Sequence, residues 1–363
     1  MKRRILFLTL LLLIGCGKKA PSEEAIVGVF EPQQGLYGET GRETFRGVKL
    51  AHDLRPVAGG KKISLSLYDT KSQSFESANG VSSLADQGAV ALIGTFGTDS
   101  MNLARPVIRA AKIPTVTGST SRDLKRDYWI TPVCMNDNEQ AQAMAAFASD
   151  TLGLRDVAVI VDGEMGYGTA LAYAFTHSLP PYVRATTIHY HTGETRFQRE
   201  LARLKNIPID GIYCPGDAAS SAYLIRAIKD AGIRVPLMGA DRWENPSFKS
   251  IGKSAVEGAY FTAHYARYET FNRASDAFLR AYEKAYHREP TGYAAMGYDA
   301  YNLIADAMNK AGPDRSAVAR YLRHLDTFDG ALGISKRYDT RNVPIMRQKG
   351  NKASYVTSVE VDS

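Results

Sequence analysis

ALIGTFGTDSMNLARPVIRAAKIPTVTGSTSRDL, running from Ala91 to Leu124, is the stretch whose reading decides the fold. It holds two short apolar runs, Val90-Gly94 and Ile113-Thr117, each followed by a turn rich in hydroxyl groups. The segment between them has helical character and is too long for a hairpin, so the runs read as parallel neighbouring strands of a βαβ unit. Both turns then leave the carboxyl edge of one sheet. The first, Thr95 to Ser100, enters a helix, where open backbone N–H groups and the helix dipole favour an anion. The second sets Gly118, Ser119, Thr120 and Ser121 beside it. Together they suit the carboxylate of a small polar ligand. The alternative is that Thr98, Asp99 and Ser100 only cap the helix.

Working outward, the same alternation continues in both directions. Before the stretch come a buried strand at Ala25-Phe30, a helix from Thr44 to Leu54, a strand from Ile63 to Asp69 and a helix around Glu76-Gln87. After it, a strand is expected at Trp129-Val133, where Pro132 argues for a sheet edge. A second β/α set follows: strands at Val157-Val161, Val183-Tyr190, Gly211-Cys214, Val235-Gly239 and Tyr260-Tyr265, with helices between. Three successive helices, Ala274-His287, Tyr293-Ala311 and Ser316-Leu325, precede a tail of short strands and turns. The expected class is α/β, with two doubly wound parallel-sheet lobes and a cleft between them. Ligands sit beyond the carboxyl ends of such strands. The strand-end loops give one wall with Tyr37, Thr98, Ser119 and Thr120, and a second with Tyr167, Asp217 and Asp241 to Asn245.

Composition agrees with a two-lobed globular chain. In 363 residues, 44% are hydrophobic and 23% charged, enough for sizeable cores. Lys2-Arg3-Arg4 precede an uncharged apolar run, Ile5 to Ile14, that is shorter than the roughly 20 residues of a membrane span. It reads as a secretory signal, residues 1–15. The following Leu13-Ile14-Gly15-Cys16 resembles the bacterial lipoprotein processing box, which implies a lipid on the Cys16 sulfur and a tether over 16–24. Without those three basic residues the formal charge falls from +7 to +4, dispersed along the chain, and nucleic acid is not an expected partner. An exported protein permits a disulfide between Cys134 and Cys214, but one lone pair in so long a chain is no disulfide framework, and two buried free thiols are the favoured reading.

The motifs GVFEPQQGLYGETG (Gly28-Gly41), ALIGTFGTDS, IPTVTGSTSRDL, DGEMGYG, LMGADRWENPSF, Glu257-Gly258 and GYAAMGYDAYNLIADAM (Gly292-Met308) occur in one order. In that order the chain resembles the periplasmic leucine/isoleucine/valine-binding protein family, the type I substrate-binding proteins of ABC transporters. The resemblance covers Ala25 to the end. It implies three hinge crossovers, near Val133-Asn136, Ala263-Ala266 and Ser335-Asp339. Lobe 1 would comprise 25–135 plus 265–336, and lobe 2 136–264 plus 337–363.

Family roles carry over by position. The serine that binds an amino acid's carboxylate falls at Thr98, and the carbonyl and hydroxyl of the next turn at Ser119 and Thr120. The acidic ammonium ligand falls at Asp241. Aromatic contacts with the ligand side chain fall at Tyr37, Tyr167 and Tyr293. Two positions depart from the pattern: Asp217 stands where a tyrosine is frequent, and Trp243 adds bulk. An extra carboxylate at Asp217 would favour a polar or cationic ligand. The implied partners are an amino acid or related small carboxylate or amide, an ABC permease and, through Cys16, a membrane; the chain is expected to be a monomer outside the cytoplasmic membrane.

Signals for an enzyme are thin, and no catalytic residue, metal or cofactor is assigned. Ser250-Ile251-Gly252-Lys253 has serine–lysine spacing without companion motifs. His189 and His191 share a strand face but lack a third metal ligand. Gly166-Tyr167-Gly168 lacks the third glycine of a dinucleotide loop. The competing reading is an envelope ligand sensor or assembly-factor lipoprotein of the same fold with no transport role.

Overall fold

The computed structural model describes residues 23–266, 272–336 and 341–361. The signal segment, Cys16 and most of the tether lie outside them, as do residues 337–339 of the third expected crossover. The first sheet contains β1 (Glu24–Glu31), β2 (Val57–Ala58), β3 (Lys61–Asp69), β4 (Ala91–Ile93), β5 (Thr115–Thr117) and β6 (Ile130–Pro132), in spatial order β2-β3-β1-β4-β5-β6. All neighbours are parallel except the short β2, which folds back on β3. Central β1 is nearly continuous in apolar residues because helices cover both its faces. Pro132 lies on β6, the edge strand, where its missing N–H breaks no ladder.

The second sheet is built from β7 (Asp156–Asp162), β8 (Arg184–Tyr190), β9 (Gly211–Tyr213), β10 (Leu237–Gly239) and β11 (Tyr260–Thr262). A separate hairpin, β12 (Thr327–Gly330) with β13 (Gly333–Lys336), intervenes in the chain. The long pair β14 (Arg341–Lys349) and β15 (Lys352–Val361) then extends the second sheet, giving the order β15-β14-β11-β10-β9-β7-β8. The tail is thus two long antiparallel strands, where short strands were expected. Buried Val343, Ile345, Met346 and Val361 hold them in place, while most of β15 remains outside the core.

The helices are α1 (Gly38–Leu54), α2 (Glu76–Asp86), α3 (Thr98–Ala111), α4 (Asp137–Ala146), α5 (Gly166–Ser178), α6 (Gln198–Leu204), α7 (Ala218–Asp230), α8 (Pro246–Gly252), α9 (Arg273–Tyr286), α10 (Gly292–Ala311) and α11 (Arg315–Arg323). Their starts follow from local chemistry. Asn136 and Glu139 form a capping box at α4, and Thr291 and Asp314 accept backbone N–H groups at α10 and α11. The chain passes between the halves after β6, between β11 and α9, and between β13 and β14.

Helix α10 is buried almost throughout and returns to the first sheet, where Met296, Ala300, Leu303 and Ile304 join Val27, Val29, Ile93 and Val116. Its approach to α1 depends on two glycines. A Cβ on Gly47 would strike the Ala294 carbonyl, and one on Gly297 would strike the Thr44 carbonyl. These glycines let the helix backbones touch. Asp299, also buried on α10, accepts the N–H groups of Ala331 at 2.7 Å and Leu332 at 3.0 Å and so anchors the β12–β13 turn. Cys134 and Cys214 are both buried and unbridged.

The α1–α10 contact predicts that Gly47→Ala lowers unfolding free energy by about 1–3 kcal/mol, the usual range for overpacking. Urea denaturation measures it, and an unchanged midpoint would mean the helices part at no cost.

Candidate functional site

Parallel order puts the ends of β1, β4 and β5 on one edge, facing the ends of β7, β9, β10 and β11. From the first sheet, Tyr37 precedes α1, Thr98 opens α3, and Ser119 and Thr120 follow β5. From the second, Tyr167 lies at the start of α5, Asp217 is the N-cap of α7, and Asp241 and Arg242 stand in a short turn after β10. The halves touch here. The Tyr37 hydroxyl donates to Asp217 Oδ2 at 2.5 Å, and Asn245 Nδ2 donates to Thr40 Oγ1 at 2.9 Å.

The first wall is polar and incompletely satisfied. The N-cap of α3 is Gly97, with no side-chain cap, so the hydroxyls of Thr98 and Ser100 are not consumed in capping. Thr98 and Ser119 are both buried, and neither hydroxyl has a hydrogen-bond partner among the described residues. Gly94, at φ +140°, makes the turn before them; a Cβ there would strike the Phe30 carbonyl. Behind the turn, Thr95 Oγ1 donates to Glu31 at 3.1 Å and Thr117 Oγ1 donates to the Thr95 carbonyl at 2.8 Å, so the loop is held from beneath. Tyr37, Phe96 and Tyr293 form an aromatic row, each ring meeting the next edge-on at 5.7 Å.

The second wall carries paired charges. Asp241 is buried; Tyr167 donates to its Oδ1 at 2.6 Å, and His264 Nε2 lies 3.1 Å from its Oδ2. Burial alone would raise its pKa, but His264 and the Tyr167 hydroxyl outweigh burial and hold the carboxyl below its ordinary range. Arg242 is paired with Asp217, Nη1 to Oδ1 at 2.5 Å, and its guanidinium lies 3.7 Å from the centre of the Tyr167 ring. Burial opposes its charge, and Asp217 more than restores it, raising the guanidinium pKa. Burial and then Asp217 likewise keep the proton on Tyr37.

Eight of the nine residues read from sequence as ligand contacts therefore stand in strand-end loops or helix starts around the cleft. Trp243 does not. Its ring stacks on Phe248 at 4.3 Å and covers Gly239 inside the second lobe's core. A side chain so enclosed by apolar neighbours cannot also offer its bulk to the cleft. Arg242, next to Asp241 in sequence, turns away from it to Asp217. His264, Phe96 and Glu31 were missed, although each lies within a few residues of a strand end; Arg242 was placed on the second wall but given no role. Elsewhere, Ser250 donates to the Ser247 carbonyl, His191 pairs with Glu164, and no metal-binding group of three is present among the described residues.

Buried carboxyls near the cleft give a pH signature. Burial raises Glu31 from 4.5 to about 8, and raises Asp137 and Glu244 to about 8 as well. An unfolded chain loses the Glu31 proton near 4.5, whereas the folded chain keeps it until about 8. The folded state binds more protons inside that window, so stability is full below it and declines as pH rises through it. Thermal melts should fall between pH 5 and 8, and Glu31→Gln should show a smaller fall than the wild type. Parallel pH profiles would remove Glu31 from this account.

The periplasmic binding protein family model matches residues 25–360. Leu/Ile/Val-binding protein homolog 3 of Brucella melitensis is 26% identical over 321 residues, covering 85% of each chain. A leucine binding protein from Thermotoga maritima superposes with a TM-score of 0.87 at 28% identity, over 92% of this chain and 98% of that one. A branched-chain amino acid transporter substrate binding protein from Streptococcus pneumoniae, in complex with isoleucine, shares the fold with a TM-score of 0.83 at 22% identity, over 92% and 99%. A two-lobed, type I periplasmic binding protein is the class that fold and matches define. The chain belongs to the leucine/isoleucine/valine-binding protein family, whose members are extracytoplasmic solute-binding proteins of ABC transporters. Among the described residues no helix is long and apolar enough to cross a membrane.

Proposed function

We propose that this protein is the solute-binding component of an ABC transporter and takes an amino acid between its lobes. Thr98 and Ser119 hold the carboxylate at the start of α3, where the helix dipole adds to their hydroxyls. Asp241 holds the ammonium together with the Ser119–Thr120 turn. Tyr37, Tyr167 and Tyr293 border the ligand side chain, with Asp217 behind Tyr37. The observation that carries this reading is the pairing of opposites across one cleft. Two buried hydroxyls without partners among the described residues lie on the first wall, and a carboxylate kept ionised lies on the second.

Closure follows from the same contacts. An open form exposes the first wall, and rotation about the three crossovers brings Asp241 and Tyr167 onto a bound zwitterion. Only contacts made in the closed state shift the equilibrium toward it. A membrane permease reads the closed form, and a lipid on Cys16, through the 16–24 tether, keeps the monomeric protein near it. Lobe 1 spans 25–135 plus 265–336, and lobe 2 spans 136–264 plus 337–363.

An amino acid should raise the melting temperature in a thermal-shift screen, and a complete amino-acid panel without a shift would overturn the reading. Asp241→Asn, which keeps shape but removes charge, should weaken the ligand found by roughly ten- to a hundredfold in calorimetry. Thr98→Ala should weaken it several-fold. Unchanged affinity in either variant removes that residue from the site.

A further inference from the structure

The cleft's side-chain subsite contains a cation that no apolar ligand can satisfy. Arg242 is 8% exposed, and its guanidinium is fixed on two sides, by Asp217 and by the Tyr167 ring. Only Nη1 finds acceptors among the described residues, Asp217 Oδ1 at 2.5 Å and Met165 Sδ at 3.8 Å. Nε and Nη2 have none. These free donors belong to a group that, with Tyr37, lines two small cavities. The first also takes Thr70, Ser72, Ser74 and Thr95 from the first lobe, so its wall is hydroxyl-rich. The second takes Thr40, Asn245 and Ser247.

On the reading that the cleft binds an amino acid, we propose that Arg242 selects a ligand whose side chain ends in a neutral carbonyl acceptor, a carboxamide above all. An isobutyl or sec-butyl group placed against Arg242 would shut its N–H groups away from water without an acceptor, which is costly. A carbonyl oxygen accepts from Nε or Nη2 at a guanidinium already oriented by Asp217 and Tyr167, so little ordering is lost on binding. Charge separates the amide from the acid. Asp217 already neutralises Arg242, and Asp99 borders the same cavity, so a second ligand carboxylate would enter without an uncompensated cation. The pairing also removes the ground for a cationic ligand: Asp217, read from sequence as an extra carboxylate facing the ligand, is occupied by Arg242 and Tyr37.

Isothermal titration of the full chain with glutamine, asparagine, glutamate, lysine and leucine tests this. Glutamine or asparagine should bind at least tenfold tighter than leucine, the usual worth of a hydrogen bond to a charged donor. In the double variant Arg242→Met with Asp217→Asn, which keeps the local charge balanced, that preference should fall tenfold or more. If the double variant does not fold, Arg242→Lys, which keeps the charge but loses the planar fork, should still lower the preference. Leucine binding tighter than either amide overturns the proposal and leaves the amino-acid reading standing. Glutamate tighter than glutamine, or lysine tighter than both, overturns the neutral-acceptor argument. Equal loss of every ligand on changing Arg242 assigns it to the shared carboxylate and overturns its role as a selector. Failure of all five probes together with the rest of the amino-acid panel strikes the parent reading instead.

Discussion

A parallel strand cannot return through a tight turn; it needs a crossover, here a helix, before the next strand can pair beside it. That constraint arranges everything else in this molecule. Each strand of β1, β4 and β5 releases its following loop at one edge, and β7, β9, β10 and β11 do the same in the second sheet. Residues far apart in sequence are thereby gathered at one place, and some of them, Tyr293 and Tyr167 among them, also pack on the cores behind. Tyr37 and Asp217 are 180 positions apart and share a hydrogen bond. The helices behind the sheets bear the structural load, as the close crossing of α1 and α10 over Gly47 and Gly297 shows.

Charge in the cleft is arranged so that few buried ions stand alone. Asp241 has Tyr167 and His264, and Arg242 has Asp217. Breaking such a pair leaves an uncompensated charge, which is why each partner matters more than its own contact energy. Glu31, Asp137 and Glu244 meet burial differently, by holding protons well above the usual carboxyl range. The cleft therefore mixes fixed ions, neutral acids and partnerless hydroxyls, and these three kinds of group answer to different conditions.

Much of the fold was legible because buried parallel strands announce themselves as unbroken apolar runs, as in AIVGVF. Strand β2 was not, since two residues have no periodicity. Its signal was the Gly59-Gly60 pair, both at positive φ, which makes the turn into β3. The tail hairpin was underestimated because most of β15 is only partly buried, and its polar positions disguise the run. At the site, strand-end position placed Thr98, Ser119 and Asp241 at the sheet edges where the structure has them. It did not separate Asp241, Arg242 and Trp243. Three consecutive side chains there diverge, to His264, to Asp217 and into the core. Adjacency in sequence does not say which way each side chain turns, and only tertiary geometry separates the three.

The last strands have a consequence for how the molecule becomes whole. β14 pairs with β11 through Tyr260 and Arg347, so a strand from the end of the chain covers an edge laid down much earlier. Likewise α10 seals a sheet whose strands end at Pro132. Neither lobe has a complete surface until the late residues arrive. A chain interrupted before Arg341 would expose β11 as an unpaired edge, the kind of template on which foreign strands assemble. Completion is thus shared between the lobes: no single cut in the backbone yields one finished half.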